Sequence, residues 1–183
     1  MLEIRWHGRG GQGAWTASEL LAKAAAYDGK YVRSFPEFGS ERMGAPVTAF
    51  TRISTEPIRL YCAVYNPDVV VVLDPTLLRF VNVTEGLTEK GNLIINSKEN
   101  PVDVKKALRE NKVKVWTVPA TEIAIKILGL PITSTAMLGA IIRVTGIVSL
   151  ESIKKAVMER FRSDVADKNF AVIKEAYEEV HSE

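Results

Sequence analysis

Gly8, Gly10 and Gly13 are spaced as G-x-G-x-x-G between a short apolar run and an amphipathic one. A strand over Glu3 to His7 runs into small and polar residues. A helix then starts near Ala14 and carries Ala17, Leu20, Leu21 and Ala24 on one face. Strand, glycine turn and helix commit the start of the chain to a βα unit, a geometry that aims backbone N–H groups at an anion. The first glycine allows a tight turn, the second lets a phosphate approach the backbone, and the third lets helix pack on strand. Arg9 adds a positive charge at the loop tip. The same spacing also suits an ordinary tight βα turn, and the pattern alone does not separate the two.

Two common nucleotide sites are disfavoured. A dinucleotide site wants Asp or Glu at the end of the second strand, about 20 residues on, to hold the ribose hydroxyls. Here that strand reads Lys30-Tyr31-Val32-Arg33-Ser34, and Glu37 comes only later, inside a Pro/Gly loop. No Gly-Lys-Ser/Thr follows the glycines, so the turn is not a P-loop.

With 183 residues the chain is long enough for one domain with a full core. Lys and Arg number 24 against 22 Asp and Glu, and no basic stripe is interleaved with aromatics, so nucleic acid is not an expected partner. The single cysteine, Cys62, excludes an internal disulfide and any Cys-built metal or iron–sulfur site, and fits a reducing cytoplasm. Between Tyr61 and Ala63 it reads as a small buried apolar residue rather than a nucleophile. Met1 leads directly into the first strand, so no signal peptide is expected. No apolar run approaches the roughly 20 residues a membrane span needs.

Strands and helices alternate along the chain. Tyr31–Ser34 is followed by a long loop, Phe35 to Pro46. Val47 to Ile53 reads as a strand, and Pro57-Ile58-Arg59-Leu60-Tyr61 as its hairpin partner across Ser54-Thr55-Glu56. Val69 to Asp74 is a β-branched run of the kind buried on both faces, ending where Asp74-Pro75-Thr76 starts a short helix. Leu93 to Asn96 and Val113 to Val118 are further strands, with a helix over Val102 to Asn111 between them. The C-terminal third reads as helices over Thr121 to Leu128, Thr135 to Val144, Leu150 to Phe161 and Val165 to Val180. Gly129, Pro131, Gly146 and Ser163-Asp164 act as stops and caps. The expected fold is a single α/β domain: a Rossmann-like, mixed, mostly parallel sheet flanked by helices, with a helical C-terminal third.

Ligand sites in such sheets lie beyond the carboxyl ends of the strands. That edge would gather the glycine turn, the Ser34–Pro46 loop and the loops after Asp74 and Asn96, so the two glycine-rich segments should face each other. The Ser34–Pro46 loop mixes Phe35, Phe38 and Met43 with Glu37, Glu41 and Arg42. It reads either as a clamp, with Arg42 on an anion, or as a connection ordered by an internal Glu–Arg pair. Pro131 to Ala140 is a helix entry in which Ser134 or Thr135 caps the helix or touches a partner's ligand. Ala136, Gly139 and Ala140 would let another helix approach closely. His7, at a strand end, is a candidate proton carrier without a recognisable companion. His181 reads as solvated in a frayed terminus, and neither histidine makes a metal site.

Taken in order, these motifs are specific. They are His7 to Gly13, Phe35-Pro36-Glu37-Phe38-Gly39 with Glu41 to Pro46, Asn66 to Asp74, and Thr135 to Ala140. On them the chain, from Ile4 to about Tyr177, resembles the gamma subunit of 2-oxoacid:ferredoxin oxidoreductases, as found in the four-subunit pyruvate and ketoisovalerate enzymes. Ser134, where that family often has Asn, and Met43, where Arg or Thr is common, depart from the pattern.

The resemblance implies a complex that decarboxylates a 2-oxoacid on thiamine diphosphate with Mg, passes electrons through iron–sulfur clusters to ferredoxin, and delivers the acyl group to coenzyme A. Those cofactors would lie in alpha, beta and delta subunits, with no catalytic or metal-binding residue on this chain. This subunit would lie over the active site and help receive coenzyme A. Gly8, Arg9, Gly10, Gly11, Gln12 and Gly13 of the turn, with Glu37, Glu41, Arg42 and Gly44 of the second loop, are the candidate binding residues. A stand-alone phosphate- or nucleotide-binding protein and a purely structural assembly subunit are the alternative readings.

Overall fold

The computed structural model describes residues 1–37, 43–108 and 112–183. Seven strands form one sheet in the order β2-β3-β1-β4-β5-β6-β7. They are β1 (Leu2–Arg9), β2 (Tyr31–Pro36), β3 (Pro46–Ser54), β4 (Val69–Val72), β5 (Asn92–Asn96), β6 (Lys114–Val118) and β7 (His181–Ser182). β1, β4, β5 and β6 are parallel neighbours, while β3 is antiparallel to β1, β2 to β3, and β7 to β6. The helices are α1 (Ala14–Tyr27), α2 (Pro101–Leu108), α3 (Ala120–Leu128), α4 (Ser134–Thr145), α5 (Leu150–Arg160) and α6 (Ser163–Glu178). The sheet is mixed with a parallel centre, and the C-terminal part is helical, as expected. Among the described residues no helix is long and apolar enough to cross a membrane.

The alternation of side chains along each strand divides the core in two. Ile4, Trp6, Val71, Leu73 and Ile94 face α1 and α3 to α6. Val70, Val72, Leu93 and Ile95 face the other way, toward Val104 of α2 and Val83. The Val69–Val72 run is therefore wholly buried, because both faces are covered. Coverage is uneven, with five helices on the first face and α2 on the second.

The expected hairpin between Val47–Ile53 and Pro57–Tyr61 does not form. β3 is paired on both edges, with β1 on one side and β2 on the other, so no edge remains for a further strand. Residues 57–61 have no regular structure. A buried guanidinium organises the segment that follows. Arg52, 1% exposed, donates from Nη1 to the Cys62 carbonyl at 2.7 Å, from Nη2 to the Ala63 carbonyl at 3.0 Å, and from Nε to Glu3 at 2.6 Å. Cys62 is consequently exposed rather than buried: its carbonyl is drawn inward and its Sγ lies at the segment's surface, 3.8 Å from Arg52 Nη2. His181 is not frayed either. It pairs with Thr117 in β7, and Glu183 binds Lys105 of α2 at 2.8 Å.

Two helix entries differ from expectation. Thr133, not Ser134 or Thr135, is the N-cap of α4, and it makes no side-chain capping bond; the Thr135 hydroxyl instead meets Asn169 Oδ1 at 3.0 Å. α6 starts at Ser163 itself, after Arg162. The small stripe on α4 does admit a neighbour. A Cβ on Gly139 would stand 2.2 Å from the Ile173 carbonyl oxygen of α6. The helix expected over Val102 to Asn111 is α2, and residues 109–111 lie outside the described residues.

Candidate functional site at the carboxyl edge

β1 runs two residues further than the sequence suggests, because Gly8 pairs with Val47 and Arg9 with Pro46. Gly8 therefore sits in the strand rather than in the turn. Its missing side chain serves packing, since a Cβ there would lie 3.2 Å from Ala14 Cβ. The turn itself spans Arg9 to Gln12 and is closed by the Gln12 amide on the Arg9 carbonyl at 2.9 Å. Gly11 occupies its third position with φ 92°, which glycine alone adopts cheaply. Gly13, φ 79°, is the N-cap of α1.

The two glycine-rich segments do face each other. The Gly10 amide donates to the Ala45 carbonyl at 2.9 Å, and the Gly44 amide to the Gly10 carbonyl at 3.1 Å. The Gly10 amide is thus already engaged. Glu37 is exposed, and its amide bonds the Thr48 carbonyl at 2.9 Å. Glu41 and Arg42 lie outside the described residues, and with them both readings of an Arg42 clamp and an internal Glu–Arg pair.

Arg9 is held from three sides. Its Nε donates to Asp74 Oδ2 at 3.0 Å, Nη1 to the Gly44 carbonyl at 3.0 Å, and Nη2 to Thr76 Oγ1 at 2.9 Å. Three of the five guanidinium N–H groups are used, which leaves two. Gln12 completes the frame: its Oε1 accepts from the Arg9 amide at 2.7 Å and its Nε2 donates to Asp74 at 3.0 Å. Burial works against ionisation of Asp74, but the hydrogen bonds from Thr76 and Gln12 and the Arg9 charge together hold its carboxyl below the usual range. From sequence, Asp74 reads only as a helix entry. Its place as the hub of the turn depends on β4 lying beside β1, which the Asn66–Asp74 run hints at by ending a buried strand in a carboxylate.

His7 is not a proton carrier near neutrality. Burial, assisted by the charge of Arg5, pushes its pKa down to about 4. Its Nε2 accepts from Arg5 Nε at 3.1 Å. Arg5 also binds the Val83 and Glu85 carbonyls through Nη2. The unfolded chain takes up this proton near the ordinary histidine value of about 6.5, whereas the folded chain resists until about 4. His7 therefore contributes stability above pH 6.5 that is lost as the pH falls toward 4, a change of about 3 kcal/mol. Urea midpoints at pH 7 and 4.5 should fall further apart in the wild type than in His7→Gln. Equal pH slopes would refute the assignment.

What remains open at this edge is backbone amide and the two remaining N–H groups of Arg9. The Ala14, Trp15 and Thr16 amides have no acceptor among the described residues, as at any helix start. A broad cleft of about 500 Å³ lies elsewhere, along β2, lined by Val32, Arg33, Ser34, Phe35 and Tyr61. Tyr61 covers the Arg33 guanidinium there at 3.7 Å.

A parallel-centred sheet with a glycine turn and a helix start at its carboxyl edge defines a Rossmann-like α/β protein. Residues 3–179 match the family described as pyruvate ferredoxin/flavodoxin oxidoreductase. The chain is 53% identical over 178 residues to the pyruvate/ketoisovalerate oxidoreductases common subunit gamma of Pyrococcus furiosus, covering 97% of this chain and 96% of that one. It is 51% identical over 180 residues to pyruvate synthase subunit PorC of Methanocaldococcus jannaschii, covering 98% and 97%. The crystal structure of pyruvate oxidoreductase subunit PORC from Thermotoga maritima superposes with a TM-score of 0.88 at 47% identity, covering 99% of this chain and 97% of that one. The chain belongs to the pyruvate ferredoxin/flavodoxin oxidoreductase family, among its gamma-type subunits.

Proposed function

We propose that this chain works as the gamma subunit of a cytoplasmic, multisubunit 2-oxoacid:ferredoxin oxidoreductase of the pyruvate synthase type, with its glycine-turn edge covering the active site and helping to bind coenzyme A. The complex would oxidatively decarboxylate pyruvate or a branched-chain 2-oxoacid, releasing carbon dioxide, reducing ferredoxin and transferring the acyl group to the coenzyme A sulfur. Near full-length identity to gamma subunits carries this reading. The donor set of the chain agrees with a division of labour. One cysteine cannot hold an iron–sulfur cluster, so the clusters, thiamine diphosphate and Mg would belong to alpha, beta and delta partners.

Coenzyme A is a polyanion, and the edge offers what a polyanion needs. Open amides stand at the start of α1, and Arg9 keeps two N–H groups while Asp74 fixes its direction. Gly8, Gly11, Gln12 and Gly13 shape the turn, and Gly10 and Gly44 tie it to the second loop. Glu37, Glu41 and Arg42 would line the second loop's side. Met43, 87% exposed beside Gly11, favours a second reading of the same edge as an assembly surface.

Purification through a tag on this chain, from cells expressing the partner genes and without oxygen, should bring down subunits with 2-oxoacid- and coenzyme A-dependent dye reduction. A lone, inactive chain would overturn the reading. In the active complex, Arg9→Ala and Arg42→Ala should each raise KM for coenzyme A about tenfold, the worth of a charge-assisted hydrogen bond. Unchanged KM in both would leave assembly as the role of the edge.

A further inference from the structure

β2 is the outermost strand of the sheet, paired with β3 on one side and with no other strand among the described residues. The phase of that ladder fixes where its backbone groups point. The Glu37 amide donates to the Thr48 carbonyl, so Glu37 and Thr48 form a hydrogen-bonded pair. The register runs unbroken from there back to Tyr31 opposite Ser54, and such pairs alternate along an antiparallel ladder. Tyr31, Arg33 and Phe35 therefore spend their backbone groups on β3. The amides and carbonyls of Val32 and Ser34, and the Pro36 carbonyl, point the other way, and none of them has a partner among the described residues.

The cleft of about 500 Å³ runs along this strand, lined by Val32, Arg33, Ser34 and Phe35, with Tyr61 as its other wall. Tyr61 is 78% exposed, yet its place is fixed, because Arg52 of β3 holds the carbonyls of the next two residues, Cys62 and Ala63. The Arg33 guanidinium lies 3.7 Å from the centre of the Tyr61 ring. Arg33 is half-buried, and its side-chain N–H groups meet no acceptor among the described residues. Stacking occupies the face of a guanidinium and leaves its edges open to the fork of a carboxylate.

These demands identify the occupant. Unpaired amides and carbonyls recurring along a strand edge are met by a second extended backbone, as in strand addition. Arg33 adds a call for an acidic side chain directly across from it. A second copy of this chain answers poorly. With β2 paired to itself about Arg33, Ser34 or Val32, the residue opposite Arg33 is Arg33, Phe35 or Tyr31, and never a carboxylate. The register about Ser34 also calls on an amide that Pro36 lacks.

We infer that the outer edge of β2 docks an extended segment of a different subunit, which pairs with the backbone of Val32 and Ser34 and places an Asp or Glu side chain on Arg33 beside Tyr61. This rests on the reading that the chain works within a complex, and it names the contact.

The test compares the free chain with the complex purified through its tag. The Val32 and Ser34 amides should exchange with deuterium about tenfold more slowly, or slower still, in the complex. Arg33→Glu should raise the dissociation constant of assembly, read on dilution, by about thirtyfold or more. Val32→Pro removes one outward amide and no bond to β3, and should raise it about tenfold. Melting curves of the free variants separate a lost contact from a lost fold, and where a variant misfolds the exchange of the wild type decides. Lysine in place of the acidic residue that becomes protected in the partner should restore assembly to Arg33→Glu, a rescue that a merely structural arginine would not show. A complex in which both amides exchange as in the free chain, or which Arg33→Glu leaves intact, overturns the inference while the gamma-subunit reading stands. A chain recovered alone overturns both. A dimer of this chain that Val32→Pro abolishes gives the edge to a second copy and overturns the proposed occupant.

Discussion

Arg52→Met is expected to destabilise the chain by about 3–5 kcal/mol, the range for removing one partner of a buried ionic and hydrogen-bonded group. The methionine fills the volume of the aliphatic stem but none of the polar demand. Glu3 loses its cation, and the carbonyls of Cys62 and Ala63 lose their donor. Glu3 is 22% exposed and recovers some solvation, so the carbonyls carry most of the cost. For a chain of this size the loss amounts to roughly 10 °C in Tm. Residues 57–66 should also become the first site of cleavage in limited proteolysis, because the Arg52 hydrogen bonds to the Cys62 and Ala63 carbonyls tie that irregular segment to the sheet. Arg52→Lys keeps the charge but not the fork and should recover less than half of the loss. A Met variant within about 1 kcal/mol of the wild type would show that the guanidinium is dispensable.

Gly139→Ala sets two effects against each other. Helix propensity alone favours alanine by about 1 kcal/mol. Packing opposes it, because the new Cβ would stand 2.2 Å from the Ile173 carbonyl oxygen and 2.9 Å from the Tyr177 amide nitrogen. Both contacts are backbone, so relief requires α4 and α6 to separate. Overpacking of this kind costs about 3 kcal/mol or more and outweighs the propensity gain. A net loss of about 2 kcal/mol, near 5 °C in Tm, should appear in a thermal melt. An unchanged or higher Tm would rule out the close approach.

Local signals carried far in this chain. The β-branched Val69–Val72 run reports burial on both faces because no polar residue interrupts it, and it is buried on both. Ala17, Leu20, Leu21 and Ala24 recur at helical spacing and face the core from α1. The Pro57–Tyr61 segment failed because a turn between two short apolar runs says nothing about which strands already flank the first. Cys62 failed with it, since its exposure follows from carbonyls turned inward toward Arg52. Arg5 and Arg52 look like solvated strand residues from their charge alone. Their burial depends on backbone carbonyls contributed from 10 to 80 positions away.

The candidate site divides in the same way. Spacing alone located the glycine turn and placed it opposite the Ser34–Pro46 loop, because both lie at strand ends that a parallel sheet must bring to one edge. Spacing could not assign the glycines their duties. Gly8 packs within a strand, Gly11 makes the bend and Gly13 makes room for Ser134. Nor could it show that Arg9 is bound to Asp74, 65 residues away, or that the starts of α1 and α4 meet. The sequence by itself determined the alternating α/β plan, the edge at which the glycine turn lies and the family, since these depend on periodicity, turn chemistry and ordered motifs within short windows. Only the tertiary structure decided which polar groups are spent and which remain open, because hydrogen-bond satisfaction is a property of groups brought together by the fold and not of neighbours along the chain.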